Sequence, residues 1–148
     1  GSEIAGKNGY GKGQRFDRIE PRGIHPRLHK YRERIMAMHK MKLTTAPFAK
    51  IASSSKVIES RLYDEKRQQI NLGDQLEFTC NSDQSKKVIA IVKALYHYPD
   101  FKCLFSDFSP SLFGGTSKEE LIEEIETLYS REEQNKYGVV GIKIEVVK

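Results

Sequence analysis

Along residues 39–147 the apolar positions change period several times, and each change predicts a new element. Met41 and Leu43 alternate with Lys40 and Lys42, the pattern of a half-buried strand. Thr45 follows as the N-cap of a short helix, with Pro47 in its first turn, Phe48, Ile51 and Ala52 as its apolar stripe, and Ser53-Ser54-Ser55 as its end. Residues 57–63 alternate again, with Ile58 and Leu62 on one face and Glu59, Arg61 and Tyr63 on the other. The charged connection 64–69 and the turn Leu72-Gly73-Asp74 lead into a strand over 76–80. A central strand is predicted over 87–96, and Pro99 stops it. Phe101, Leu104, Phe105 and Phe108 predict a short helix packed on the sheet. Ser117 and Glu120 have the spacing of a capping box. They open a helix with the stripe Leu121, Ile122, Ile125, Leu128 and Tyr129, and with Glu119, Glu120, Glu123 and Glu124 near its positive end. A last strand over 139–147 closes an α+β domain.

The first residues lack such periodicity. Residues 1–24 hold six glycines and few apolar groups, too little burial to offset the entropy of ordering them. Residues 1–38 are therefore expected to be a flexible basic arm. Its leading Gly1-Ser2 resembles a cloning remnant, so part of the arm is vector-derived in this reading. A short helix over 27–37 carries Leu28, Tyr31, Ile35 and Met36. Residues 39–148 form the folded domain.

Charge changes the picture less than its total suggests. The chain carries a net charge of +5 over 148 residues, but residues 1–42 contain 11 Lys/Arg against 4 Asp/Glu. The remaining 14 basic residues face 16 acidic ones, so the domain itself is close to neutral and the high pI is no argument for polyanion binding. No apolar run approaches the roughly 18 residues of a membrane span. No secretory leader is expected, and a cytoplasmic location follows. Cys80 and Cys103 have no Cys or His at zinc-ligand spacing, which favours free thiols in a reducing compartment. His25 and His29 would share a helix face, but His39 and His97 are scattered, so neither a metal nor another cofactor is expected.

The segment from Lys56 to Arg67, followed by Gly73-Asp74-Gln75-Leu76-Glu77-Phe78, resembles the signature of the ASCH family. So do His97-Tyr98-Pro99 with Phe101, the stretch Leu128 to Glu133, Lys136-Tyr137-Gly138-Val139 and Ile142-Lys143-Ile144, in order across roughly 39–147. The resemblance implies a PUA-like, partly open β-barrel with packed short helices around a cleft. Such domains commonly bind RNA, so an RNA or a nucleotide-like ligand is the implied partner.

Lys56, Glu59 and Arg61 are the leading candidates to line that cleft. Glu59 and Arg61, two apart on a strand, present an acceptor and a forked donor to one ligand or pair with each other, while Lys56 enters from the preceding loop. Tyr63, Lys66 and Arg67 extend the candidate site toward phosphates. Tyr129, with Ser130 and Tyr137, offers stacking or hydrogen bonds to a base. Three functions stay open. One is an RNA- or nucleotide-binding module. A second is an RNA-processing hydrolase with Lys56 and Glu59 as catalytic candidates, either a ribonuclease or an N4-acetylcytidine amidohydrolase. One ASCH-related branch resembles amidohydrolases that use a Lys and a Thr three positions on; Lys56 matches the Lys, but Glu59 stands at the Thr position, so the hydroxyl nucleophile that the resemblance implies is missing. The third is a protein-interaction module.

Overall fold

In the computed structural model, which describes residues 36–148, the elements follow from these patterns with several shifts at their ends. The arm through residue 35, most of the helix expected over 27–37, and the His25/His29 pair lie outside the described residues. Strand β1 is Met38–Leu43, with Met41 and Leu43 buried and Lys40 and Lys42 exposed. Helix α1 is Thr45–Ala52 and buries Phe48 and Ile51. Its N-cap is Thr44 rather than Thr45, and Thr44 makes no side-chain cap bond. The Thr45 hydroxyl instead meets that of Ser82 at 2.9 Å.

Strand β2, Ile58–Leu62, is followed by a 3-10 turn at Arg67–Gln69. Strand β3, Gln75–Cys80, turns tightly into β4, Asp83–Tyr98, whose 16 residues overrun the expected 87–96 at both ends. Helix α2, Phe101–Ser106, is capped by Asp100, and the 3-10 turn Pro110–Phe113 leads to α3, Lys118–Glu126. Helix α4, Arg131–Tyr137, and strand β5, Val139–Val146, complete the chain.

The α3 start corrects one detail of the sequence reading. Ser117 Oγ accepts from the Glu120 amide at 3.1 Å, but the Glu120 carboxylate accepts from Thr116 N at 2.7 Å rather than from Ser117. The reciprocal box forms at Ser130 and Glu133. Helix α3 also stops at Glu126, so Leu128 leaves the expected stripe and is 69% exposed, whereas Leu121 is buried.

The five strands form one sheet in the order β1-β3-β4-β5-β2. The β1/β3 pair is parallel and the other three are antiparallel. β1 and β2 are thus the two margins, and the sheet curls strongly into an open half-barrel with an α+β, PUA-like fold. Its two faces serve different cores. Met41, Leu43, Phe48, Ile51, Leu76, Phe78, Val92, Val140 and Ile142 pack together on one face. Ile58, Leu62, Phe101, Leu104, Phe105, Phe113, Leu121 and Val139 pack on the other, with α2 and α3. The first face is the concave one, because Arg61, which projects from it, reaches from one sheet margin to the other by donating from Nη2 to the Lys42 carbonyl at 3.2 Å.

One irregularity positions the site. β4 pairs Val92 with Ile144 but Ala94 with Lys143, so Lys93 is an extra residue in the ladder. A bulge of this kind reverses which alternate residues face inward. Ala90 and Val92 lie on the concave face before it; after it, Leu95 opposite Ile142 and His97 opposite Val140 do.

Candidate functional site

The concave face of β2 carries Glu59, Arg61 and Tyr63 at steps of roughly 7 Å, two residues of extended strand. Pairing with β5 sets Glu59 beside Ile142 and Arg61 beside Val140, while Ile58 and Leu62 anchor the strand from the opposite face. The alternation expected for residues 57–63 is the alternation present.

Glu59 is 3% exposed and holds two cations. Arg61 donates from Nε to Glu59 Oε2 at 2.6 Å, and Lys56 Nζ lies 3.0 Å from Glu59 Oε1. Burial works against the Glu59 carboxylate, but the fields of Lys56 and Arg61 and their hydrogen bonds overcome it and hold its pKa at about 2. Burial likewise opposes the Arg61 cation, yet Glu59, and more weakly Tyr129 and Asp64, raise its pKa above the ordinary value. The triad is therefore two cations and one fixed anion, with a net charge of +1 at neutral pH. Arg61 spans Glu59 and the Lys42 carbonyl with a rigid fork, so the guanidinium is oriented before any ligand arrives.

Lys56 is placed from behind by a glycine. Gly114 adopts φ +81°, and a Cβ there would lie 3.2 Å from Lys56 Cβ and 3.1 Å from Lys50 Cδ. Lys50 Nζ also donates to the Gly114 carbonyl at 2.8 Å. Gly114→Ala is thus expected to cost about 1–2 kcal/mol through left-handed strain and crowding, and to shift Lys56 away from Glu59. Urea unfolding measures the first effect. The second shows as altered amide NMR shifts at Lys56 and Glu59.

The triad also predicts an acid response. Because the Glu59 pKa is lowered on folding, its contribution to stability is fully present above about pH 4.5 and is lost as the pH falls toward about 2. Thermal melts across that window should show a steep loss of stability in the native chain. The loss should be weaker in Lys56→Gln, whose Glu59 is less strongly held.

The other sequence candidates are more dispersed. Tyr63 shares the triad's face, and its ring lies 4.3 Å from that of His97. Arg67 is drawn into a local staple, donating to Asp64 from its backbone N at 3.0 Å and from Nη1 at 3.3 Å, and Lys66 is exposed in the same connection. Tyr129 stacks on Phe101 at 5.7 Å in the second core. The Ser130 hydroxyl is engaged in capping α4, and Tyr137 is half-buried against the second core.

His97, Gly114 and the Lys42 carbonyl are site components that local sequence patterns did not identify. The alternation of β4 was the signal that would have found His97, and the bulge at Lys93 hides it. A shallow cavity of about 290 Å³ opens between residues 54–57 and 144–148 and meets the triad only through Lys56. Among the described residues no group of three or more His, Cys, Asp or Glu side chains is placed to hold a metal ion, and no helix is long and apolar enough to cross a membrane.

No family model matches the sequence, and no curated protein matches it. Solved structures do. Hypothetical protein PH0355 is 33% identical, with a TM-score of 0.66 over 76% of this chain and 100% of that one. PF0455 from Pyrococcus furiosus is 32% identical, with a TM-score of 0.59 over 75% of this chain and 98% of that one. The ASCH domain from Lactobacillus crispatus is 13% identical, with a TM-score of 0.52 over 79% of this chain and 84% of that one, a likeness of fold. The chain therefore belongs to the family that includes PH0355 and PF0455, and the fold on which its Lys56–Glu59–Arg61 site is built is that of an ASCH domain.

Proposed function

We propose that the domain is a nucleotide- or RNA-binding module in which Arg61 and Lys56 receive a phosphate on the concave face of the half-barrel. The observation that carries this reading is the buried triad itself. Glu59 fixes two cations next to each other, leaves one net positive charge, and orients a planar guanidinium at the gap between the sheet margins. An arrangement prepaid in this way favours an anion without requiring the side chains to reorganise.

Binding is favoured over hydrolysis because a carboxylate held at about pKa 2 is poorly matched to proton transfer near neutral pH, where a general base works best with a pKa close to the ambient pH. Glu59 is a positioning group in this reading. Cys80 and Cys103 are both free, which fits action in a reducing, cytoplasmic setting.

Fluorescence anisotropy with a labelled short single-stranded RNA at low salt tests the proposal. Binding should weaken as salt rises, and it should weaken about tenfold in Lys56→Gln and in Arg61→Lys, which keeps the charge but loses the fork. The reading fails if the RNA does not bind, or if both variants bind it as the native chain does. Cleavage or deacetylation of the RNA that disappears in Glu59→Gln would replace it with a hydrolase.

A further inference from the structure

The concave face carries a second feature beside the triad. His97, opposite Val140 on β4, lies in the same cross-strand row as Arg61, opposite Val140 on β2. Two strand spacings separate them, roughly 10 Å. His97 is exposed, and its inner side is backed by the half-buried ring of Tyr63 at 4.3 Å and a tilt of 49°. These rings meet beside the start of β5, where Tyr63 N donates to the Gly138 carbonyl at 2.9 Å. His97 reaches this face only because Lys93 is bulged. Bulges are frequent next to binding sites, where they re-aim a side chain.

We propose that the His97 imidazole, backed by Tyr63, is a stacking platform for one unpaired base of a ligand whose phosphate is held at Arg61 and Lys56. The inference rests on the binding function above and narrows its ligand to a nucleotide or single-stranded RNA, as opposed to a bare polyanion. A base inside a duplex has both faces covered by its neighbours, so only an unpaired base presents a free face to the ring. The ring's outer side is exposed, while desolvation where it packs against its neighbours lowers the His97 pKa from its ordinary value and so favours the neutral imidazole. A stacking contact is tolerant of base identity, so the platform recognises a base as such without selecting among the four.

Adenosine 5′-monophosphate and ribose 5-phosphate differ by the base alone, and NMR titration of the labelled chain reads both even when binding is weak. The native chain should bind the nucleotide at least about tenfold more tightly, with an upfield shift of the His97 ring protons as the base stacks. In His97→Ser the preference should vanish, and in His97→Phe, which restores an aromatic face, it should return. Equal affinity for the two probes in the native chain overturns the platform while leaving a phosphate site intact. So does a preference that survives in His97→Ser. If neither probe binds, the nucleotide-binding function falls and the platform falls with it.

Discussion

Arg61→Ala is expected to destabilise the folded domain by about 3–5 kcal/mol, the cost typical of breaking a buried ion pair by removing one partner. The reason lies less in the lost bond than in what remains. Glu59, with its side chain 4% exposed, would keep Lys56 alone, and the Oε2 that now accepts from Arg61 at 2.6 Å would face a site too dry to hydrate it well. The variant also loses the bridge from Arg61 to the Lys42 carbonyl that links the two margins of the sheet. Removing all three charges is a different experiment. Glu59→Met and Arg61→Met together with Lys56→Met replace the triad with apolar groups of similar size and should recover most of the loss, because no charge then stays buried without a partner. Urea unfolding of both variants decides it. A single variant within about 1 kcal/mol of the native chain would mean that water already reaches Glu59.

Asp74→Ala should cost about 2–3 kcal/mol, although Asp74 is far from the triad in sequence and belongs to a turn. Its side chain is buried and accepts from Asn71 N at 3.0 Å and Ala37 N at 3.2 Å, while His39 Nε2 donates to it at 2.8 Å. One carboxylate thus fastens the start of β1 to the turn that launches β3, and both strands then run parallel in register from Met38 opposite Gln75. Since β1 is a sheet margin with β3 as its ladder partner, loosening that start should show first as faster hydrogen exchange at the β1 amides. A loss below about 0.5 kcal/mol with unchanged exchange would contradict this role.

How much of this was legible in the sequence depends on how local the cause is. The face of β2 was readable because its five residues alternate without interruption, so Glu59, Arg61 and Tyr63 fall together whatever the partner strand does. The meeting of Lys56 with Glu59 was half readable: the sequence puts them three apart, but the contact depends on the loop end that Gly114 supports from behind. His97 was hidden by a bulge. Continuing the inward alternation of Ala90 and Val92 would bring Tyr96 and Tyr98 inward, whereas the structure turns them to the second core and brings His97 in. Contacts between the sheet margins, above all Arg61 with Lys42, depend on how far the sheet curls, which no short stretch of sequence encodes. The helix ends failed for a simpler reason. The Ser117 and Ser130 starts both have a Glu three residues on, and which carboxylate reaches back to its own cap amide depends on the preceding backbone.

A phosphate-bearing ligand is expected to bind at the Lys56–Glu59–Arg61 triad on the concave face. Amide NMR of the labelled chain titrated with a short single-stranded RNA at low salt tests it most directly. Saturable shifts should concentrate at Lys56, at 59–63 and at Val140 and His97, and should fade as salt is added. Saturable shifts confined to the outer sheet face around Lys40, Glu77 and Lys87, or to the acidic surface of α3, would contradict it.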